Sequence, residues 1–189
     1  MTYFLIIIVL LVLLVFWGIS IYNNLVKNRN MMEEGFSGMD VQLKKRHDLI
    51  PNLVNTVKGY ASHEQETFER VMEARSRAMG GTTLHASNAE AVADSQNQLT
   101  SALGRLFAVA ENYPELKADA NFRELQTQLS VIEGDIEKAR RYYNATVRDN
   151  NIAVESFPSN IIAGMGDFQH GVFFEIEEPG DRALPEVKF

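Results

Sequence analysis

Cysteine is missing altogether from this chain, which removes disulfides, thiolate metal sites, cysteine nucleophiles and a lipidated cysteine together. Basic residues are the minority: 18 Lys and Arg stand against 25 Asp and Glu, a net charge of −7. That balance argues against nucleic acid as a partner, because phosphates demand a basic stripe to neutralise them. Five prolines and twelve glycines in 189 residues are too few for a disordered chain. The acidic excess is uneven. From Asn151 onward, Glu155, Asp167, Glu175, Glu177, Glu178, Asp181 and Glu186 are set against only Arg182 and Lys188, so the end of the chain is an acidic strip, partner-facing or merely solvated.

An apolar run without any charge extends from Tyr3 to Tyr22. As a helix rising about 1.5 Å per residue it matches the roughly 30 Å hydrocarbon layer of a bilayer. Tyr3 and Phe4 lie at one end and Trp17 and Tyr22 at the other, where amphipathic rings favour the headgroup level. A cleaved signal peptide would have a basic start, a shorter apolar core and a small-residue cleavage site. None of these is present, so the run is read as a retained anchor. Lys27, Arg29, Lys44, Lys45 and Arg46 all follow the run and no Lys or Arg precedes it. By the positive-inside rule the N-terminus is then outside and the large domain cytoplasmic.

What remains after the anchor suffices for one domain with its own core. Apolar or small residues recur three or four apart at Phe36, Met39, Leu43, Ile50, Val54, Val57, Ala61, Phe68, Val71 and Ala78, a helical seam that passes Arg46 or His47 and then Glu64. Pro51 lies within it, and predicts either a kink near Leu49, the preferred reading, or the first turn of a new helix. Gly80 and Gly81 end the seam, and the polar stretch through Asn88 reads as a loop or disordered connector. A second seam runs Val92, Gln96, Leu99, Leu103, Leu106, Ala110 and Tyr113 until Pro114 stops it. Asn121 with Glu124 then resembles a capping box. The third seam, Leu125, Leu129, Ile132, Ile136, Ala139, Tyr143, Val147, Asn150 and Val154, keeps the spacing that antiparallel helices need. Pro158 ends it, and the following chain reads as irregular or short-stranded. Its apolar residues Ile161, Ile162, Phe168, Phe173, Phe174 and Phe189 must cover either their own bundle or a neighbouring copy. The fold class is therefore all-α: a transmembrane anchor at 1–24, an antiparallel long-helix bundle at 25–157 and an extended acidic C-terminal segment at 158–189.

Several blocks together resemble the LemA family of bacterial membrane proteins. They are Tyr22–Val26, Asp40–Val54, Val57–Tyr60, His63-Glu64, Ala74-Arg75, Ala110–Ala118, Ala139–Asn144, Phe157-Pro158 and Pro185–Phe189, in the family's order and over nearly the whole chain. The resemblance implies a single N-terminal transmembrane helix, a short external N-terminus and a helical bundle at the bacterial cytoplasmic membrane. It supplies no catalytic residues. The stretch Gly164–His170 departs from the family, which more often has a basic residue after a Gly-Phe-like pair.

The most distinctive local chemistry is Lys44–Asp48 followed by Pro51 and Asn52. Arg46 suits pairing with a carboxylate on a neighbouring helix or chain. The preferred reading makes Arg46, His47 and Asp48 buried polar groups of a kinked helix that fix bundle register, with Lys44 and Lys45 solvated or lying against anionic lipid. In the second cluster, Tyr143 faces the core while Arg140 and Asn144 flank it, and the sequon Asn144-Ala145-Thr146 is accidental in mid-helix. His47, His63, His85 and His170 form no i, i+4 pair, and Thr67 stands where the second histidine of a zincin motif would be. No metal, cofactor or catalytic set is expected. The sequence favours a non-enzymatic scaffold that forms homo-oligomers on the bilayer, with organising or shaping the bilayer as the extension of that reading. An adaptor for a membrane protease or signalling kinase stands second and a hydrolase third.

Overall fold

The structure is a computed structural model and describes residues 1–80 and 86–175. Six α-helices are present among them: α1 Thr2–Tyr60, α2 Gln65–Gly80, α3 Ala89–Ala110, α4 Pro114–Ala118, α5 Ala120–Glu155 and α6 Ser159–Met165. No strand occurs among the described residues. The all-α architecture with a long apolar N-terminal helix is as the sequence predicts.

One helix, α1, is both the apolar run and the first bundle helix. Its 59 residues extend for about 88 Å. Its residues up to Trp17 are exposed throughout, and the helix contains an 18-residue window apolar enough to cross a membrane, none of it buried by the rest of the fold. From Leu25 the same helix turns an apolar face inward through Phe36, Met39, Leu43, Ile50 and Val57, all essentially inaccessible. Against that face lies α5, antiparallel. Phe36 meets Tyr143 edge-on at 5.3 Å, and Arg46 meets Glu133, which together set the register. Gly35 lets the helices close up, since a Cβ there would stand 3.3 Å from Tyr142 and Thr146. At the end remote from the apolar run, α2 and α3 complete the bundle, with Phe68, Val71, Leu99, Leu103 and Leu106 packed on Leu53, Val54 and Val57.

Three sequence expectations about the helices are corrected by the structure. The first seam is divided between two helices: α1 stops at Tyr60, and a turn through Ala61–Glu64 reverses the chain into α2, so Glu64 belongs to the turn. Both faces are apolar at helical spacing, so periodicity carried straight across the turn. Of the two readings of Pro51, the first turn of a new helix is set aside, because the proline lies inside α1, as the preferred reading has it. The cap of α5 is Asp119, not Asn121: its Oδ1 accepts from the Phe122 backbone N–H at 2.9 Å, and Asn121 is already helical. The chain after Pro158 is not simply irregular, because Ser159–Met165 forms α6. Two smaller points follow. Pro114 opens the short α4, its fixed φ suiting a first helical turn, and Ala86–Asn88 is a 3-10 turn leading into α3.

After α6 and a turn at Gly166 and Asp167, a strap of residues 168–175 returns along the groove between α1 and α5. Phe168 and Phe174 are buried and Ile162 is half-buried on the chain's own bundle, whereas Ile161 and Phe173 stay outside. His85, Phe189 and the acidic residues Glu177, Glu178, Asp181 and Glu186 lie outside the described residues, as does the closing block Pro185–Phe189.

Candidate functional site

Two polar constellations occupy the bundle where apolar residues would otherwise pack. The first centres on Arg46, which is 1 % exposed. Its guanidinium reaches both neighbouring helices. Nη1 donates to Glu133 Oε1 at 3.0 Å and Oε2 at 3.3 Å on α5 and to Thr100 Oγ1 at 3.4 Å on α3, while Nη2 donates to Gln96 Oε1 on α3. A planar fork with several donors can join three helices at once, which an ammonium could not do as rigidly. Glu133 keeps 42 % of its side chain in solvent, so the pair is buried on one side only.

His47, the next residue, is also buried. Its Nε2 lies against the side-chain amide of Gln96, 3.2 Å from the amide nitrogen and 3.3 Å from Oε1, the same oxygen that Arg46 engages. Burial holds its pKa below the ordinary 6.5, and the guanidiniums of Arg46 and Arg75 act in the same direction; the contact with Gln96 and the Asp48 carboxylate oppose them and lose. Arg75, on α2, donates from Nε to the His47 carbonyl at 2.7 Å. That carbonyl lies four residues before Pro51, whose ring nitrogen has no hydrogen to give it.

The second constellation binds the strap. Asn144 on α5 makes a two-way contact with Phe174, donating to its carbonyl at 3.1 Å and accepting from its N–H at 2.9 Å. Asn151 does the same for Gly171, at 3.1 and 2.7 Å. Asn150 donates to the Gln169 carbonyl at 3.1 Å, and the Tyr143 hydroxyl donates to the Val172 carbonyl at 2.7 Å. Helix side chains thus provide the backbone partners that a neighbouring strand would provide in a sheet. Burial, with Glu33 behind it, pushes the Tyr143 phenol far above its ordinary pKa. Tyr143 and Asn150, which the seam placed near the core in need of partners, find them here.

The structure brings Arg46 and His47 together, and Tyr143 and Asn144. Asp48 does not join them: expected to be buried, it is exposed on α1 because its position in the helical turn faces away from α3 and α5, as is Asn52, and Pro51 is half-buried. Arg140 is half-buried with no ion pair among the described residues, while Trp17 and Tyr22 stand exposed on the apolar end of α1. Sequence reasoning missed Glu133, Thr100, Arg75 and Asn151 as members of these constellations. Gln96 was visible as an amide in an apolar seam. Among the described residues, no three His, Asp or Glu converge as metal ligands. An open groove of about 740 Å³ lies between α2 and α3, with Arg70, Arg77 and Arg105 on its walls. Arg70 pairs with Glu66 and Arg77 with Glu73, and Arg105 has no ion pair among the described residues.

Comparison with known proteins draws on this same region. The model of the LemA family matches residues 35–189, which includes both constellations. The chain belongs to the LemA family. It is 24% identical over 184 residues to magnetosome protein MamQ 2 of Paramagnetospirillum magneticum, covering 86% of this chain and 68% of that one. It is 25% identical over 156 residues to protein LemA of Metamycoplasma hominis, covering 82% and 69%. Magnetosome protein MamQ of Magnetospirillum gryphiswaldense matches at 23% over 184 residues, covering 86% and 68%. With its long apolar helix, this LemA-family chain is a membrane-associated protein.

Proposed function

We propose that this chain is a non-enzymatic scaffold of the bacterial cytoplasmic membrane, held by one transmembrane helix with its N-terminus outside, and that copies associate through bundles standing on the inner surface. The observation that carries the reading is the continuity of α1. A 59-residue helix without a break leaves no hinge between apolar run and bundle, so each constrains the tilt and rotation of the other. The Arg46 node and the strap stiffen the same rod further. The excess of Lys and Arg after the apolar run supports the orientation. Lateral association is supported by Val131 and Ile152, both exposed and within about 60° on the outer side of α5. The likeness to magnetosome proteins supports a place in a membrane-associated bacterial assembly. Arg46, Gln96, Tyr143 and Asn150 each have hydrogen-bond partners within the bundle or on the strap, which favours a structural role for them over turnover.

The α2–α3 groove favours a second reading, an adaptor whose arginines receive an acidic segment of another membrane protein. Crosslinking in native membranes separates the two. Products made of this chain alone are expected from the scaffold. A single dominant foreign partner would favour the adaptor, and a chain that stays monomeric at every density would end the scaffold reading.

A further inference from the structure

The bundle ends where the apolar run does. Extending the register of Phe36 with Tyr143 and Arg46 with Glu133 puts the last residue of α5, Glu155, opposite Asn24, and Leu25 indeed packs with Ala153 and Val154. The chain then continues for eleven residues, 156–166, without one Asp, Glu, Lys or Arg. Within that stretch α6 lies against the final turns of the apolar run. Ala163 is buried, and Ile162 Cδ1 stands 3.9 Å from the place of a Cβ on Gly18. Phe168 closes the contact from behind, edge-on to Tyr22 at 5.4 Å with the Arg29 guanidinium 5.2 Å over its ring.

The opposite side of this segment is uncovered. Ile161 and Met165, 56 and 84 % exposed, stand four residues apart on α6 and form one stripe, and Phe157, 80 % exposed, adds a third apolar side chain from the turn that leads into it. Gly18 lies about 6 Å further along α1 than Tyr22, inside the run that spans the hydrocarbon. A bilayer that covers Tyr3–Tyr22 therefore reaches the stripe as well. Exposed Lys27 and Arg29 follow on α1 at the height of lipid phosphates.

We infer that residues 157–165 are a second membrane contact: a short apolar wedge set into the boundary between headgroups and acyl chains, beside the spanning helix. The inference rests on the reading of α1 as membrane-spanning. The occupant is lipid because the stripe is continuous with the apolar face of α1, lies at its depth and carries no charge. One spanning helix fixes the height of a rod but leaves its lean free. A wedge on one side restrains that lean and gives the bundle a defined azimuth on the membrane.

The absence of native cysteine allows a direct test on the full chain. Leu10→Cys, Ile161→Cys, Met165→Cys and, as a control on the exposed side of α3, Ser101→Cys each receive one environment-sensitive fluorophore. The labelled proteins are reconstituted in phosphatidylcholine–phosphatidylglycerol vesicles and exposed to doxyl-labelled lipid or to aqueous iodide. The labels at 161 and 165 are expected to be quenched by doxyl lipid within about twofold of the label at 10, and Ser101→Cys by iodide alone. Lipid quenching at 10 with iodide quenching at 161 and 165 would overturn the wedge and leave the spanning helix standing. No lipid quenching at 10 would overturn both. Labels at 161 and 165 shielded from both quenchers, and opened to iodide by diluting protein in lipid, would assign the stripe to a second copy and overturn the lipid contact.

Discussion

Arg75 fills the hydrogen bond that Pro51 takes out of α1. Proline has no N–H for the carbonyl four residues back, and that carbonyl, on His47, accepts from Arg75 Nε at 2.7 Å across the α1–α2 contact. A helix interior that tolerates proline has its freed acceptor satisfied from outside. Arg75→Met is expected to destabilise the detergent-solubilised chain by about 1–2 kcal/mol in denaturant titration. In a Pro51→Ala background the backbone supplies its own donor, and the same change is expected to cost less. Equal costs in the two backgrounds would show that Arg75 contributes only through packing.

The Arg46 node is expected to be asymmetric. Glu133→Gln leaves a buried guanidinium with neutral partners only and should cost about 2 kcal/mol, below the cost for a fully buried pair because Glu133 is partly in solvent. Adding Arg46→Met removes the stranded charge. The double variant should then be more stable than the sum of the two single losses predicts, a coupling that a double-mutant cycle in denaturant measures directly.

His47 gives the fold a pH dependence of known sign. Its folded-state pKa lies below the ordinary 6.5, so as pH falls through 6.5 the unfolded chain takes up a proton that the folded chain refuses. Stability from this group is fully present above that pH, declines below it, and is lost once the folded pKa is passed. Denaturation midpoints between about pH 8 and about pH 5 should fall in the parent and fall less in His47→Gln.

Gly171 is placed where only a hydrogen fits. A Cβ there would run into Met32 Sδ and come within 3.3 Å of Val147. Gly171→Ala is expected to lift the strap, at a cost of about 1–3 kcal/mol, by overpacking the groove. Asn151→Ala removes the two-way contact with the same residue from the other side. Both variants should accelerate hydrogen exchange at the Gly171 and Phe174 amides while leaving α3 protected, and unchanged exchange at those amides would show that Asn151 does not hold the strap.

The sequence by itself determined the apolar run, the helical character of the bundle and the inward faces of α1, α3 and α5, because each depends on local spacing that a helix converts directly into a face. It also marked Arg46, His47, Tyr143 and Asn150 as polar groups on or beside seams, since such residues interrupt a pattern that is otherwise apolar. It could not locate the turn at Ala61–Glu64, where both flanking helices continue the same period. Nor could it identify Asp119 over Asn121 as the cap, a choice settled by backbone angles at a single residue. Only the tertiary structure joined Arg46 to Glu133, Arg75 to the carbonyl left by Pro51, and the asparagines of α5 to the strap. Those partners are tens of residues apart in sequence, and what unites them is the need of buried polar groups for hydrogen bonds, a need whose answer depends on which helix lies opposite.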